Sequence, residues 1–138
     1  MNVFIDNNIV IDALKPNPDF ETDAKRVFQL IWTGEITPFM SVNSLTDIFY
    51  VMQKIQGAEK AKQIIDNLMT AVNIVPLTAE DCKDALALPL SDFEDAIIAV
   101  CAKKHYAECI VSRDDSFTKA VLEVEVVTPQ RLFEKLKG

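Results

Sequence analysis

The sequence predicts an α/β fold: a central parallel sheet of about five strands with helices over both faces. Three observations predict it. Short apolar runs alternate with amphipathic stretches at helical spacing along all 138 residues. The first run, Val3-Phe4-Ile5, stops abruptly at an acid, Asp6, which is how such a sheet presents a carboxylate at its carboxyl edge. Later segments repeat the gesture, with Asp47, Asp92, Asp95 and Asp114 near a strand end or a helix start.

The elements follow in order. After the first strand, Asn7 and Asn8 are read as turning the chain, and Ile9-Val10-Ile11 as a second apolar run. Asp12-Ala13-Leu14 reads as a short helical turn closed by Pro16 and Pro18. Asp19 is the expected N-cap of a helix over 20–33, with Ala24, Val27, Phe28, Leu30 and Ile31 inward and Gly34 as its stop. Ile36 to Val42 reads as the second strand, with Pro38 near its beginning. Asn43 or Ser44 is the expected cap of a helix reaching Gln56, followed by Gly57 and a third amphipathic helix over 58–72. The third strand spans 73–77, and Thr78 with Asp81 forms a capping box for a short helix. Ser91-x-x-Glu94 reads as a second capping box, opening a helix to His105 that is apolar over most of its girth and therefore central. The fourth strand spans 109–112, with Arg113-Asp114-Asp115 just past its end. A short helix over 117–122, a strand over 125–127, and a final helix opened by Thr128-Pro129 complete the chain.

Composition narrows the function classes. With 49% hydrophobic residues, three glycines and no linker or repeat, one domain over 1–138 is expected. No basic-then-apolar leader and no membrane-spanning run is present, so a cytoplasmic protein without membrane contact is expected. Cys82, Cys101 and Cys109 contain no C-x-x-C pair and read as small buried thiols, not a disulfide framework or zinc site. The single histidine, His105, sits at a helix end beside Lys103 and Lys104, and no nucleophile-elbow sequence accompanies it. The net charge of −7 has the wrong sign for a nucleic-acid binder unless bound cations, a basic patch or a partner supply the balance.

The acids carry the chemistry. First-turn acids such as Asp92 and Asp95 commonly just help a helix start. Asp6 has no equally obvious capping duty. Two carboxylates about 5 Å apart, at an effective dielectric of about 20, repel by roughly 3 kcal/mol. A cluster of them must spread out, bind protons or bind a cation. With oxygen donors and no His or Cys nearby, the fitting ions are Mg²⁺ or Mn²⁺. Such an ion activates water and steadies a phosphate in an in-line displacement, and it supplies positive charge to an acidic protein.

These residues resemble the PIN domain, the fold of many small metal-dependent ribonucleases. The matching pieces are Phe4-Ile5-Asp6-Asn7-Asn8, Ser44-Leu45-Thr46-Asp47-Ile48, Asp92-Phe93-Glu94-Asp95-Ala96, and Val111-Ser112-Arg113-Asp114 followed by Phe117. The subgroup with a D-F-E-D helix start, which includes toxin-like members, is the most similar. The resemblance implies a three-layer α/β/α sandwich. It places Asp6, Asp47, Asp95 and Asp114 on the family's catalytic, metal-site positions, with Asp92 an extra acid beside them and Asn8 steadying the first acid. Asp47 stands where many members have the longer Glu, which implies reach through water. Asn7 replaces the commoner Thr or Ser.

The favoured expectation is a Mg²⁺- or Mn²⁺-dependent endoribonuclease similar to the toxin of a toxin–antitoxin pair, hydrolysing RNA with metal-activated water. Asp6, Asp95 and Asp114, with Asp92, would hold the metal, and Arg113, Lys103 and Lys104 are candidate phosphate contacts. The implied partners are an RNA substrate, a small antitoxin protein and a second copy in a homodimer. One alternative is a catalytically inactive module of the same fold that binds RNA or protein. Another is a phosphoacceptor domain of the receiver type, which needs a late-strand lysine where this chain has Thr128-Pro129.

Overall fold

The computed structural model describes residues 1–15 and 17–138. The helix stop expected at Pro16 lies outside the described residues. The elements run β1 (Asn2–Ile5), α1 (Asn7–Leu14), α2 (Glu21–Trp32), β2 (Thr37–Ser41), α3 (Val42–Gln56), α4 (Ala58–Ala71), β3 (Asn73–Val75), α5 (Ala79–Ala85), α6 (Phe93–Lys104), β4 (Cys109–Val111), α7 (Asp115–Thr118), β5 (Glu125–Val127) and α8 (Pro129–Lys137).

The strands form one parallel sheet in the order β3-β2-β1-β4-β5. Alternation along each strand divides the core. Val3, Ile5, Cys109 and Val111 face a layer containing Ile9 and Val10 of α1, Ile48 and Met52 of α3, and Leu132 of α8. Phe4, Ile110 and Val126 face the other layer, built on Ala96, Ile97, Cys101 and Ala102 of α6 and on Phe117 of α7. The expected three-layer α/β/α sandwich is therefore present. Helix α6 is central, with seven of its twelve residues buried. The receiver alternative fails on topology, since that class orders its strands 2-1-3-4-5.

Several boundaries differ from expectation. Helix α1 begins at once after β1, so Asn7 and Asn8 are helical and Asp6 is the N-cap. Phe20, not Asp19, occupies the N-cap of α2, with Asn17 accepting from the Phe20 and Glu21 amides (3.1 and 2.9 Å). Strand β2 runs straight into α3 through Ser41, without a capping side chain, so neither Asn43 nor Ser44 caps. Pro38 is tolerated because its ladder with β3 starts one residue later, at Phe39 opposite Asn73. The Thr78–Asp81 capping box is present in both directions (3.0 and 3.1 Å). The second box is not. Asp92, not Ser91, caps α6, accepting from the Asp95 amide at 3.1 Å. Helix α7 starts earlier than expected because Asp114 caps it, accepting from the Ser116 amide at 3.0 Å.

Candidate active site at the carboxyl edge of the sheet

The strand order reverses between β1 and β4: the chain builds outward from β1 through β2 to β3, then returns to place β4 on the other side of β1. Crevices form at such a switch point, outside the carboxyl ends of the strands. Asp6 leaves β1 there, its amide bonded to the Val111 carbonyl (3.1 Å), and Ser112, Arg113 and Asp114 leave β4 beside it.

Asp6 is buried in a polar cradle. Its Oδ1 accepts from the Asn7 amide at 2.7 Å, and its Oδ2 accepts from Ser112 Oγ at 2.7 Å and Asn8 Nδ2 at 3.3 Å. Ser112 is fully buried, and its hydroxyl donates to Asp6 while accepting from Asn8 Nδ2 (3.2 Å) and the Asp114 amide (3.1 Å). One hydroxyl thus ties both acid-bearing strand ends together with its full hydrogen-bonding capacity. Asn8 thus donates both to the first acid and to the hydroxyl that holds it. Asn7, assigned only a turning role from sequence, donates from Nδ2 to Asp47 Oδ2 at 3.0 Å and so fixes the acid of α3 against the start of α1.

The remaining acids face this cradle. Burial, followed by the charges of Asp6, Asp92, Asp114 and Glu94, pushes the Asp95 carboxyl up to about 7. Burial also raises Asp6; the Ser112 hydroxyl and Asn7 amide pull it back, and the charges of Asp114 and Asp92 push it further up. Glu94 is raised as well, by burial first and then by the charge of the nearby Asp47 carboxyl. Glu94 is the acid that sequence reasoning missed. Its pairing with Ser91 in an apparent capping box hid it, and the shifted helix start frees it to meet Asp47.

Asp6, Asp92, Asp95 and Asp114 thus feel one another's charge at this edge of the sheet, and Asp47 is tied to it through Asn7. Oxygen donors that repel one another until one keeps its proton near neutral pH fit a hard divalent cation in donor type. Among the described residues, however, no three acids are drawn together closely enough to hold an ion directly as they stand. A small cation that keeps several of its own waters suits that spacing better than one needing a full protein cage.

The three candidate phosphate contacts separate. Lys103 and Lys104 lie at the far end of α6, roughly 12 Å along its axis from Asp95 at about 1.5 Å per residue. Lys103 pairs with Glu123 (2.7 Å) and Lys104 with buried Asp81 (3.2 Å). The structure does not bring them to the acids. Arg113 is adjacent to Asp114, but its guanidinium is bound to Asp12. The thiols of Cys101 and Cys109 are buried and pushed up to about 11, which leaves them inert.

A parallel α/β/α sandwich that gathers carboxylates at its switch point, with no histidine or thiolate among them, defines a class of acid-lined, cation-fitting sites. The chain belongs to the PIN-domain family, whose model matches residues 2–116. It is similar to Ribonuclease VapC1 of Aquifex aeolicus (strain VF5), 25% identical over 138 residues, covering 96% of this chain and 94% of that protein. In fold it is similar to a chain of a toxin–antitoxin complex from Klebsiella pneumoniae, with a TM-score of 0.70 at 20% identity, over 92% of this chain and 97% of that one. It is also similar to VapC20 of Mycobacterium tuberculosis, described as a toxin cleaving the sarcin–ricin loop, with a TM-score of 0.69 at 17% identity, over 87% and 95% of the two chains.

Proposed function

We propose that the protein is a divalent-metal-dependent endoribonuclease of the toxin type, with residues 1–138 acting as one catalytic domain. The observation that carries this reading is the cradled Asp6 carboxylate facing the charges of Asp92, Asp95 and Asp114 at the switch point. The relatives, a ribonuclease, a chain of a toxin–antitoxin complex and a toxin that cleaves the sarcin–ricin loop, support it. Strand β5 and helix α8 lie beyond the family match yet complete the sheet and its cover, which supports a single unit.

In this reading Asp6, Asp95 and Asp114 would hold Mg²⁺ or Mn²⁺, with Asp92 and Asp47 as the acids beside them. When bound, the ion supplies Lewis acidity and positive charge for a phosphodiester and makes water a better nucleophile. The chain's own groups do the rest. Ser112 and the Asn7 amide favour the ionised form of Asp6 by donating to it. Asn7 and Asn8 orient Asp47 and Asp6. Asp95 must lose its proton before the site is fully charged. Lys103 and Lys104 take no part. A small antitoxin protein and a second copy are the proposed protein partners, in a reducing cytoplasm that suits free thiols. No helix among the described residues is long and apolar enough to cross a membrane.

The spacing of the acids favours one second reading, a module of the same fold that binds without turnover. RNA cleavage with and without Mg²⁺ or Mn²⁺ separates the two. The nuclease reading expects cleavage by the wild type with metal only, and a loss of more than about 100-fold in Asp6→Asn, beyond what outer-shell changes cost. Equal cleavage by both proteins, or cleavage that ignores chelation, contradicts it. Metal binding with no cleavage of any RNA offered favours the binding module.

A further inference from the structure

The chain holds a second charge constellation, a buried acid under a half-buried guanidinium, that none of this chemistry uses. Asp12, on the second turn of α1, is only 3% exposed. The Arg113 guanidinium engages it in a fork, Nε to Oδ2 and Nη2 to Oδ1, the latter at 3.1 Å. The other side of the guanidinium is occupied too, its carbon lying 4.2 Å from the centre of the Phe20 ring just before α2. The Arg113 amide donates to Asn8 Oδ1 at 3.4 Å. Arg113 therefore joins three segments: the β4–α7 connection that carries Ser112 and Asp114, the first turns of α1 that carry Asn7 and Asn8, and the entry to α2.

The geometry points to the Arg113–Asp12 pair as a positioning clamp for the acid site: it sets the distance between the Asp6–Asn8 end of α1 and Asp114. A planar fork bound at two nitrogens and stacked on a ring is fixed in direction as a flexible ammonium is not. Asp12 is buried, so removing Arg113 would leave a buried carboxylate without its partner. Arg113 then acts through Asp114 and Asn8 and is a positioning residue, not a contact to the phosphate of RNA. The inference rests on the cation-binding role proposed above for Asp6, Asp95 and Asp114.

The test uses full-length protein and Mn²⁺ as the probe. Three proteins are compared with wild type: Asp12→Asn, Arg113→Lys, and the double variant Asp12→Leu/Arg113→Met. The double variant leaves no orphaned charge and keeps the contact with Phe20, so it remains folded if a single variant does not. A clamp predicts Mn²⁺ affinity weakened by about 10-fold in Asp12→Asn and in the double variant, as for other outer-shell partners. It predicts kcat for RNA lowered with KM changed less than about 2-fold. Amide hydrogen exchange of Arg113, Asp114 and Ser116 should speed up in metal-free protein while that of β1 and β2 does not.

Unchanged Mn²⁺ affinity and unchanged exchange at those three amides overturn the clamp. A rise in KM alone on Arg113→Lys, with Asp12→Asn silent, overturns it in favour of a phosphate contact. A fall in melting temperature without any change in Mn²⁺ affinity overturns it in favour of plain structural support. Failure of the wild type itself to bind Mn²⁺ sinks the cation reading instead, and the exchange measurement then still decides the clamp.

Discussion

At the scale of single residues, Asp95 and Ser112 pull in opposite directions. Asp95 has a folded-state pKa of about 7, above the ordinary carboxylate range it has in the unfolded chain. Between about pH 4 and 7 the folded state therefore binds more protons than the unfolded state, so stability falls as pH rises through that window and stays low above it. Asp95→Asn removes the penalty. In metal-free protein it is expected to raise Tm by a few °C at pH 8, on the order of 1 kcal/mol, with the gain fading towards pH 4. Thermal melts across that range check it, and a gain independent of pH contradicts it. Asp6→Asn is the poorer probe of repulsion, because it also turns an amide nitrogen towards donors that the carboxylate now satisfies. Ser112→Ala removes the 2.7 Å bond that holds the Asp6 pKa down. The acid limb of the pH–rate profile is expected to move to higher pH, with activity at neutral pH down by about 10-fold. An unmoved limb would mean that the ionisation of Asp6 does not limit the rate.

At the scale of elements, helix starts decide which acids are available. Ser91-x-x-Glu94 and Asp92-x-x-Asp95 are overlapping cap signals one residue apart, and local pattern alone cannot choose between them. The structure uses Asp92, which caps the Asp95 amide and turns Glu94 towards Asp47. Ser91→Ala is therefore expected to change stability by less than about 0.5 kcal/mol. Thr78→Ala breaks the reciprocal box of α5 and is expected to cost about 1 kcal/mol. Denaturant melts of the two variants compare them directly, and equal costs would put the α6 cap back on Ser91. The apolar runs at Val3–Ile5 and Cys109–Val111, the girth of α6, and the Thr128-Pro129 start were local signals, and local signals survive into the fold. The carboxylates at Asp6, Asp95 and Asp114 were legible because each follows or opens an element. Their partners were not. The bonds from Ser112 to Asp6, from Asn7 to Asp47, and from Arg113 to Asp12 join residues 106, 40 and 101 positions apart. No periodicity encodes such a meeting.

At the scale of the whole molecule, the topology makes the site. A parallel sheet whose order reverses beside its first strand brings residues from both halves of the chain to one crevice. The clustering of like charge there, in a chain of net charge −7, is tolerable when a proton or a cation joins it. Lys103 and Lys104 illustrate the limit of reading charge in sequence: they follow the acids of α6 closely along the chain, yet the helix carries them to its opposite end. Cation and proton should therefore compete for the crevice, since a ligand carboxylate must be deprotonated to bind. The most direct measurement is calorimetric titration of metal-free protein with Mg²⁺ or Mn²⁺ in buffers of different ionisation enthalpy. At pH 6 the ion is expected to displace close to one proton, mostly from Asp95, and by pH 8.5 almost none. Binding with no proton release at either pH, or release unaltered in Asp95→Asn, would contradict the convergence of these acids on one cation.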